Sequence, residues 1–182
     1  MPETLQIRAA RPGDGDAIAR IRIAGWRHAY QSIVPADFLA SMDTGAEAAK
    51  VEAAISDPTN PFEILLAVRG TETFGFIVFS RAFPGRDAQG GQAEVKALYV
   101  PPESQRTGTG SALLTKAINT LRPNYQSLII WCLKDNPTGR AFYEKHGGQL
   151  IGEPKFFALP ETPEITLVEV GYTWDLSEAP QY

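Results

Sequence analysis

The residues best placed to do chemistry form a short loop with two glycines. It reads Gln105-Arg106-Thr107-Gly108-Thr109-Gly110 and follows an apolar stretch that ends at Pro101-Pro102. After it, apolar residues recur at helical spacing: Leu113, Leu114, Ala117, Ile118 and Leu121. Small residues let a ligand approach the backbone, and the N–H groups and dipole of a helix start attract an anion. The loop therefore predicts a pyrophosphate cradle between a strand and a helix.

Two familiar phosphate-binding loops do not fit this stretch. A dinucleotide-binding fingerprint needs a third glycine at the position that Leu113 occupies. A P-loop needs Gly-Lys-Ser/Thr after four spacer residues, and no such string occurs in the chain. On this stretch alone, the alternative is a glycine-rich strand-to-helix turn that holds no ligand.

What remains, Gln-x-x-Gly-x-Gly, resembles the acyl-CoA loop of the GNAT family of N-acetyltransferases. A second stretch, residues 131–147 (WCLKDNPTGRAFYEKHG), is similar to the second GNAT motif, in which a strand ends in Asn and a helix with Phe-Tyr-Glu-Lys follows. The opening Ile7-Arg8 and the ending Tyr172-x-Trp174 also look like bacterial members of the family. One departure is Gly148, where the family usually has an aromatic residue, and we expect weaker packing under the final hairpin.

The elements needed to position these motifs are predicted by periodicity and turn residues. The predicted strands are Leu5–Ala9, Phe62–Val68, Thr73–Phe83, Val95–Val100, Ser127–Leu133, Leu150–Leu159 and Ile165–Trp174. The predicted helices start at Asp14 as N-cap, after Pro35, at Ala46, after Gly110 and at Thr138, behind the N-cap Asn136. Pro84 to Gln92 reads as a loop. The order of strand, helix and strand from Glu94 to Leu133 indicates a parallel crossover.

The resemblance implies a mixed α/β fold and a single N-acetyltransferase domain over residues 5–176, with tails at 1–4 and 177–182. A central mixed sheet of six to seven strands would be flanked by about four helices. A parallel strand pair would splay apart at the acyl-CoA site.

Composition restricts the partners. Lys and Arg total 17 against 21 Asp and Glu, for a net charge of −4, which argues against nucleic acid. Cys132 is the single cysteine, so no intramolecular disulfide is expected. The sequence shows neither a signal peptide nor an apolar run long enough to cross a membrane, and no metal-ligand spacing. We expect a soluble cytoplasmic protein, a monomer or homodimer, that needs no metal.

The resemblance also assigns site residues. Acetyl-CoA would be held by Leu98, Tyr99, Val100, Gln105, Arg106, Thr107, Gly108, Thr109, Gly110, Ser111, Asn136 and Tyr143. Tyr143 matches the family tyrosine that protonates the leaving thiolate, and a core tyrosine is the alternative. Glu94 would be the general base, or else a strand-edge carboxylate paired with Lys96. The acceptor would lie near Trp26, His28 and Tyr30.

The implied function is transfer of an acetyl group from acetyl-CoA to a primary amine of a small molecule or peptide, by direct attack in a ternary complex. The alternative is a non-catalytic acyl-CoA-binding sensor or regulatory module. Cys132 lies in an apolar strand and is expected to be inert packing rather than an acyl carrier. His146 is expected at a solvated helix end.

Overall fold

The computed structural model describes residues 4–81, 91–159 and 162–177. Within them the strands are β1 Gln6–Ala9, β2 Phe62–Arg69, β3 Glu72–Arg81, β4 Gln92–Tyr99, β5 Ser127–Leu133, β6 Gln149–Leu159 and β7 Thr162–Asp175. The α-helices are α1 Gly15–Ala29, α2 Ala36–Ser41, α3 Thr44–Ser56, α4 Thr109–Leu121 and α5 Pro137–Lys145. A 3-10 turn, Pro102–Ser104, precedes α4.

The seven strands form one mixed sheet in the order β1-β2-β3-β4-β5-β7-β6. β4 and β5 run parallel, from Gln92↔Ser127 to Val95↔Ile130, as the crossover pattern predicted. All of β5 pairs antiparallel with β7, from Ser127↔Asp175 to Leu133↔Glu169, and the pairs β1 with β2 and β2 with β3 are also antiparallel. The predicted mixed α/β fold is confirmed. The described residues contain five α-helices, three of them before β2, in agreement with the five helix starts that the sequence predicted.

The chain groups into two compact units, and β4 contributes to both. Unit 1 contains residues 1–81 and 96–120, and unit 2 contains residues 82–95 and 121–182. The core of unit 1 joins helices α1 and α3 to strands β2 and β3 through Ile18, Ile21, Val51, Leu66, Val68 and Phe76. Ile18 and Ile21 lie three residues apart on one face of α1, so burying this face stabilises the helix on the sheet.

Helix α4 packs in unit 1 on a strand position that has no side chain. A Cβ added at Gly75 of β3 would lie 3.2 Å from Leu113 Cδ1 and 2.9 Å from the Tyr99 carbonyl. Glycine at this point therefore lets α4 approach β3 closely. Leu113, Leu114 and Ala117 of α4 are all buried, in agreement with the predicted apolar stripe.

In unit 2, helix α5 packs on β7 through aromatic rings. The Tyr143 ring centroid lies 5.8 Å from that of Tyr172 and 6.1 Å from that of Trp174. A Cβ at Gly148 would lie 2.6 Å from the Trp174 ring. Trp174 thus fills the space that a side chain at position 148 would take, and the expected weaker packing there is wrong.

Two local predictions need correction. β4 begins at Gln92 rather than Val95, because parallel pairing starts at Gln92 and its side chain donates to Ser127 Oγ at 3.3 Å. Asp14 precedes α1 as predicted, but its side chain makes no capping hydrogen bond. Both carboxylate oxygens of Asp14 instead accept from the Arg8 guanidinium, at 2.7 and 2.8 Å. The end of the predicted strand at Phe83, and the predicted loop from Pro84 as far as residue 90, lie outside the described residues.

Candidate functional site

The predicted site residues divide between the two units. Unit 1 holds the loop Gln105 to Ser111, the segment Leu98 to Val100 at the end of β4, of which Val100 follows the strand, and the residues Trp26, His28 and Tyr30. Unit 2 holds Glu94, Asn136 and Tyr143.

The loop after β4 is braced by its own polar groups. The Gln105 side-chain amide donates to the Val100 carbonyl at 3.1 Å, which ties the loop to the end of the strand. The Thr107 hydroxyl donates to the carbonyl of Ser104, a buried residue of the 3-10 turn, at 2.7 Å. The Thr107 and Thr109 hydroxyl oxygens lie 2.9 Å apart, and Thr109 is only 1% exposed. These hydrogen bonds stabilise the shape of the loop.

The backbone of the loop takes a left-handed conformation at two positions. Arg106 has φ +61° and Gly108 has φ +86°. The first is unusual for a residue with a side chain. A Cβ at Gly108 would meet no atom within 4 Å, so the glycine is not needed to avoid a clash inside the protein. The structure leaves open space beside the backbone at Gly108, where a ligand can approach.

Helix α4 begins directly after this loop. The Gly108 carbonyl accepts from Ala112 N at 2.9 Å, the first hydrogen bond of the helix. In any α-helix the N–H groups of the first turn have no carbonyl partner within the helix, and their partial charge is positive. The sequence from Gln105 to Ser111 contains no Asp or Glu and does contain Arg106. This arrangement favours binding of an anionic group.

The end of β4 meets α1 through aromatic side chains. Tyr99 packs against Gly25, where a Cβ would lie 2.7 Å from the ring. The Trp26 indole N–H donates to the Tyr99 hydroxyl at 2.7 Å, and the Trp26 and Tyr30 rings meet edge to face at 4.9 Å. Tyr99 is thus brought together with two of the three predicted acceptor residues. The third, His28, is exposed on the last turn of α1.

Glu94 lies on β4, an inner strand of the sheet, opposite Ile129 of β5. Its side chain is 2% exposed. Glu94 therefore does not lie at an edge of the sheet, and its pairing with Lys96 stays a prediction. Glutamate is seldom buried in proteins because a carboxylate loses its hydration there. A buried acid on this strand is consistent with a functional group.

Asn136 and Tyr143 are positioned by α5. The Asn136 side-chain oxygen accepts from Gly139 N at 3.0 Å, and Pro137 occupies the first turn, so the predicted cap is confirmed. Tyr143 is 9% exposed and packs between Tyr172 and Trp174. Its side chain is thus partly in the core, and the core alternative describes its packing correctly without excluding a role for the hydroxyl.

Sequence reasoning gave Tyr172 no role, although Tyr172-x-Trp174 contributed to the resemblance. Its hydroxyl accepts from Arg140 Nε at 3.1 Å and donates to Glu144 Oε1 at 2.8 Å. Burial raises the pKa of Tyr172 above its ordinary value, and the pKa of Arg140 is raised by its hydrogen bond to the same hydroxyl. The sequence signal that could have indicated a shared partner is the four-residue spacing of Arg140 and Glu144, which puts the two side chains on one face of a helix.

The remaining candidates have structural roles. Burial raises the pKa of the Cys132 thiol to about 12, so the reactive thiolate is scarce. His146 is half-buried, and its ring centroid lies 4.2 Å from that of Phe142, so the expectation of a solvated side chain is wrong. Among the described residues, no group of three or more His, Cys, Asp or Glu side chains is arranged to hold a metal ion. The helices in the described ranges are all too short or too polar to span a membrane.

Comparison with known proteins decides the family. The model of the acetyltransferase (GNAT) family matches residues 25–148. The chain belongs to the GNAT family of acetyltransferases. It is 31% identical over 174 residues to the Bacillus subtilis protein named Uncharacterized N-acetyltransferase YuaI, and the match covers 94% of both chains. The expectation of an N-acetyltransferase of this family is confirmed.

Solved structures of GNAT proteins share the fold. PaiA N-acetyltransferase from Thermoplasma acidophilum, in complex with coenzyme A, superposes with a TM-score of 0.69 at 18% identity, over 94% of this chain and 99% of that chain. YncA from Salmonella typhimurium, with acetyl-CoA, gives a TM-score of 0.70 at 19% identity and covers 98% of both chains. The predicted GNAT-like mixed sheet is confirmed by these matches.

Proposed function

We propose that this GNAT protein transfers an acetyl group from acetyl-CoA to a primary amine of a small molecule or peptide, by direct attack in a ternary complex, with residues 5–176 as the catalytic domain. The observation that carries the proposal is the braced loop from Gln105 to Gly110 at the start of α4, with open space at Gly108 and no carboxylate. The solved relatives that hold coenzyme A or acetyl-CoA support the choice of cofactor.

In this proposal the loop binds the pyrophosphate of acetyl-CoA. Backbone N–H groups from Arg106 to Ser111 donate to the phosphate oxygens, and the dipole of α4 adds a favourable field. The Arg106 side chain supplies a positive charge, and the Gln105 side chain holds the loop in place. Backbone groups of Leu98 to Val100 contact the pantetheine arm, and a backbone N–H there stabilises the oxyanion. A splay between β4 and β5 at this point stays a prediction.

Glu94 is the proposed general base. A free alkyl amine has a pKa of about 10.4 and must lose a proton before it can attack. A carboxylate on β4, directly or through one water, would accept this proton. The acceptor itself would be held near Trp26, His28 and Tyr30.

Tyr143 is the proposed general acid. The departing thiolate of coenzyme A has a conjugate acid with a pKa of roughly 8.5, so proton donation assists its departure. Asn136, which caps α5, would also contact the pantetheine arm. A covalent route through Cys132 is disfavoured, because its raised pKa keeps the thiol protonated.

The proposal is tested by measuring binding and turnover with the same preparation. Acetyl-CoA should raise the melting temperature, since a ligand that binds only the folded state stabilises it. Release of free thiol should then follow addition of one or more members of an amine panel covering polyamines, aminoglycosides, amino acids and lysine peptides. A thermal shift without thiol release on any amine would favour the non-catalytic binding module. Absence of both would overturn the assignment.

Replacing Tyr143 by Phe should lower kcat at least tenfold and leave the KM for acetyl-CoA within about threefold, because general acid catalysis contributes only in the transition state. The measurement is steady-state thiol release. Tyr125→Phe, outside the predicted site, is the matched control and should turn over normally. Undiminished turnover in Tyr143→Phe would remove Tyr143 from the mechanism.

Replacing Glu94 by Gln should lower kcat and flatten the acid limb of the pH–rate profile, since the amide cannot accept the proton in the assay range. Glu63→Gln, at an exposed position on β2, should keep the wild-type profile. An acid limb in Glu94→Gln that matches the wild type would show that another group is the base.

A further inference from the structure

The side chain of Tyr172 connects β7 to the helix that carries Tyr143. Tyr172 is 0% exposed, and its hydroxyl is held between Arg140 and Glu144 of α5. The donor and the acceptor are four residues apart, one turn of the helix, so one hydroxyl binds two successive turns. A single buried group therefore sets both the rotation of α5 about its axis and its position along β7.

Two further contacts complete this attachment. Arg140 Nη1 donates to the Lys134 carbonyl at 3.3 Å, which ties α5 to the connection that leads from β5 to Asn136. At the other end of the helix, the Trp174 indole N–H donates to the His146 carbonyl at 2.8 Å. β7 thus holds α5 near both ends, and the Tyr143 ring lies between the Tyr172 and Trp174 rings.

We propose that Tyr172, with Arg140 and Glu144, is a positioning residue for the reaction: it holds α5 so that the Tyr143 hydroxyl lies where the leaving thiolate needs a proton. This inference rests on the proposed function, and specifically on the acid role of Tyr143. In this role Tyr172 acts through its hydrogen bonds to α5 and not by contact with the cofactor or the acceptor. Its effect is geometric, since a shift of about 1 Å in a catalytic group costs up to 100-fold in rate.

The structure offers a matched pair of variants on neighbouring residues of β7. Tyr172→Phe removes the hydroxyl bound to α5 and keeps the ring. Thr173→Val removes a hydroxyl that donates to the Leu128 carbonyl at 2.9 Å, within the sheet. Each variant loses a buried or half-buried hydrogen-bonding hydroxyl, so both should lower the melting temperature. We expect kcat to fall about tenfold in Tyr172→Phe and less than twofold in Thr173→Val, with the KM for acetyl-CoA little changed in both.

A double-mutant cycle separates positioning from general destabilisation. If Tyr172 acts through the hydroxyl of Tyr143, Tyr172→Phe should have no further effect on kcat in the Tyr143→Phe background. If Tyr172→Phe instead lowers kcat by the same factor in the wild type and in the Tyr143→Phe variant, the two effects are independent. That result would overturn the inference and leave the proposed function in place. If Tyr143→Phe itself turns over normally, or the wild type releases no thiol with any amine, the proposed function fails and the inference fails with it.

Glu144→Ala provides a second variant if Tyr172→Phe does not fold. Glu144 is exposed, so its loss is tolerable, yet it removes the acceptor of the Tyr172 hydroxyl. It should lower kcat by a smaller factor than Tyr172→Phe, about threefold. Lys145→Ala, the next exposed residue of α5, is the control and should leave kcat unchanged. The same kcat in both alanine variants would overturn the inference.

Discussion

Helices α1 and α4, both in unit 1, begin in the same local way. A glycine with positive φ precedes each helix, Gly13 at +99° and Gly108 at +86°. A Cβ at either glycine would meet no atom within 4 Å. The two starts differ in what lies at their N–H groups. At α1, Glu52 of α3 accepts from Gly13 N at 2.7 Å and from Gly15 N at 3.1 Å.

At α4 the local sequence supplies no such carboxylate. Residues 105–111 contain none, whereas α1 has Asp14 and Asp16 nearby as well as Glu52. A glycine before a helix start is therefore not by itself a ligand site, because the protein can fill the place with its own carboxylate, as Glu52 does at α1. An arginine precedes the glycine in both starts, Arg11 and Arg106, but only at α4 does it stand without a neighbouring carboxylate in residues 105–111, which suits an external anion.

The largest expected effect is on acetyl-CoA affinity, when the glycines that precede α4 and α1, Gly108 and Gly13, are each replaced by valine. Gly108→Val should abolish detectable binding of acetyl-CoA, a loss of at least 100-fold or about 2.7 kcal/mol, because the side chain fills the space beside the loop. Gly13→Val imposes similar backbone strain at a start that the protein has already filled. It should lower the melting temperature to a similar degree and leave acetyl-CoA affinity unchanged. Calorimetric titration with acetyl-CoA measures the difference, and equal affinities would contradict the cradle.

A second experiment makes the start of α4 more like that of α1. Ser111→Glu places a carboxylate in the first turn of α4, where it is favourable by about 0.3–1 kcal/mol. We expect acetyl-CoA affinity to fall at least tenfold, because the new charge competes with the pyrophosphate, while the unfolding free energy rises slightly. Calorimetry and urea unfolding give the two quantities.

Two control variants accompany Ser111→Glu. Thr115→Glu adds the same charge at an exposed position farther along α4 and should leave affinity nearly unchanged. Glu52→Gln removes the charge from the start of α1, and should lower the unfolding free energy by about 1 kcal/mol without altering cofactor affinity. Loss of affinity in all three variants would indicate a general effect of charge or stability.

The smallest effect concerns the ion pair beside α1. The hydrogen bond from Arg8 is the main cause that lowers the pKa of Asp14 below its ordinary value. A lowered folded-state pKa stabilises the protein above the unfolded value of about 3.9, and this contribution is lost as pH falls through the folded-state pKa. Asp14→Asn should therefore cost about 1 kcal/mol at pH 7, and the difference should shrink below pH 4.

Urea unfolding between pH 7 and pH 3 measures that difference. Asp16→Asn is the control, because its pair with Arg20 is 63% and 67% exposed and contributes little. If the unfolding free energies of Asp14→Asn and the wild type differ by the same amount at every pH in this range, the ion pair with Arg8 is not the source of the difference.

Local chemistry explains which parts were predicted. Asn136 followed by Pro137 specifies a helix start within three residues, and the structure has that cap. The apolar stripe of α4 and strand β5, Ser127–Leu133, were also predicted correctly. The loop before α4 was found because its two glycines and Gln105 lie within six residues. All these signals are carried by residues close in sequence.

The remaining features depend on residues far apart in the chain. Glu52 reaches the start of α1 from 37 and 39 residues away, and local reading assigned that role to Asp14. The hydroxyl of Tyr172 binds Glu144 from 28 residues away. No pattern in a single sequence specifies such pairs, because they exist only once strands and helices have packed.

The sequence by itself determined the family resemblance, the order of elements and the loop that carries the proposed cofactor site, because each is encoded in spacing over a few residues. Only the tertiary structure decided that Glu94 is buried on an inner strand and that α5 is attached to β7 through Tyr172. It also decided that one of two similar helix starts is occupied by Glu52. The physical reason is that burial and contacts between residues far apart in the sequence arise only when the whole chain is packed, whereas spacing over a few residues is present in the sequence itself.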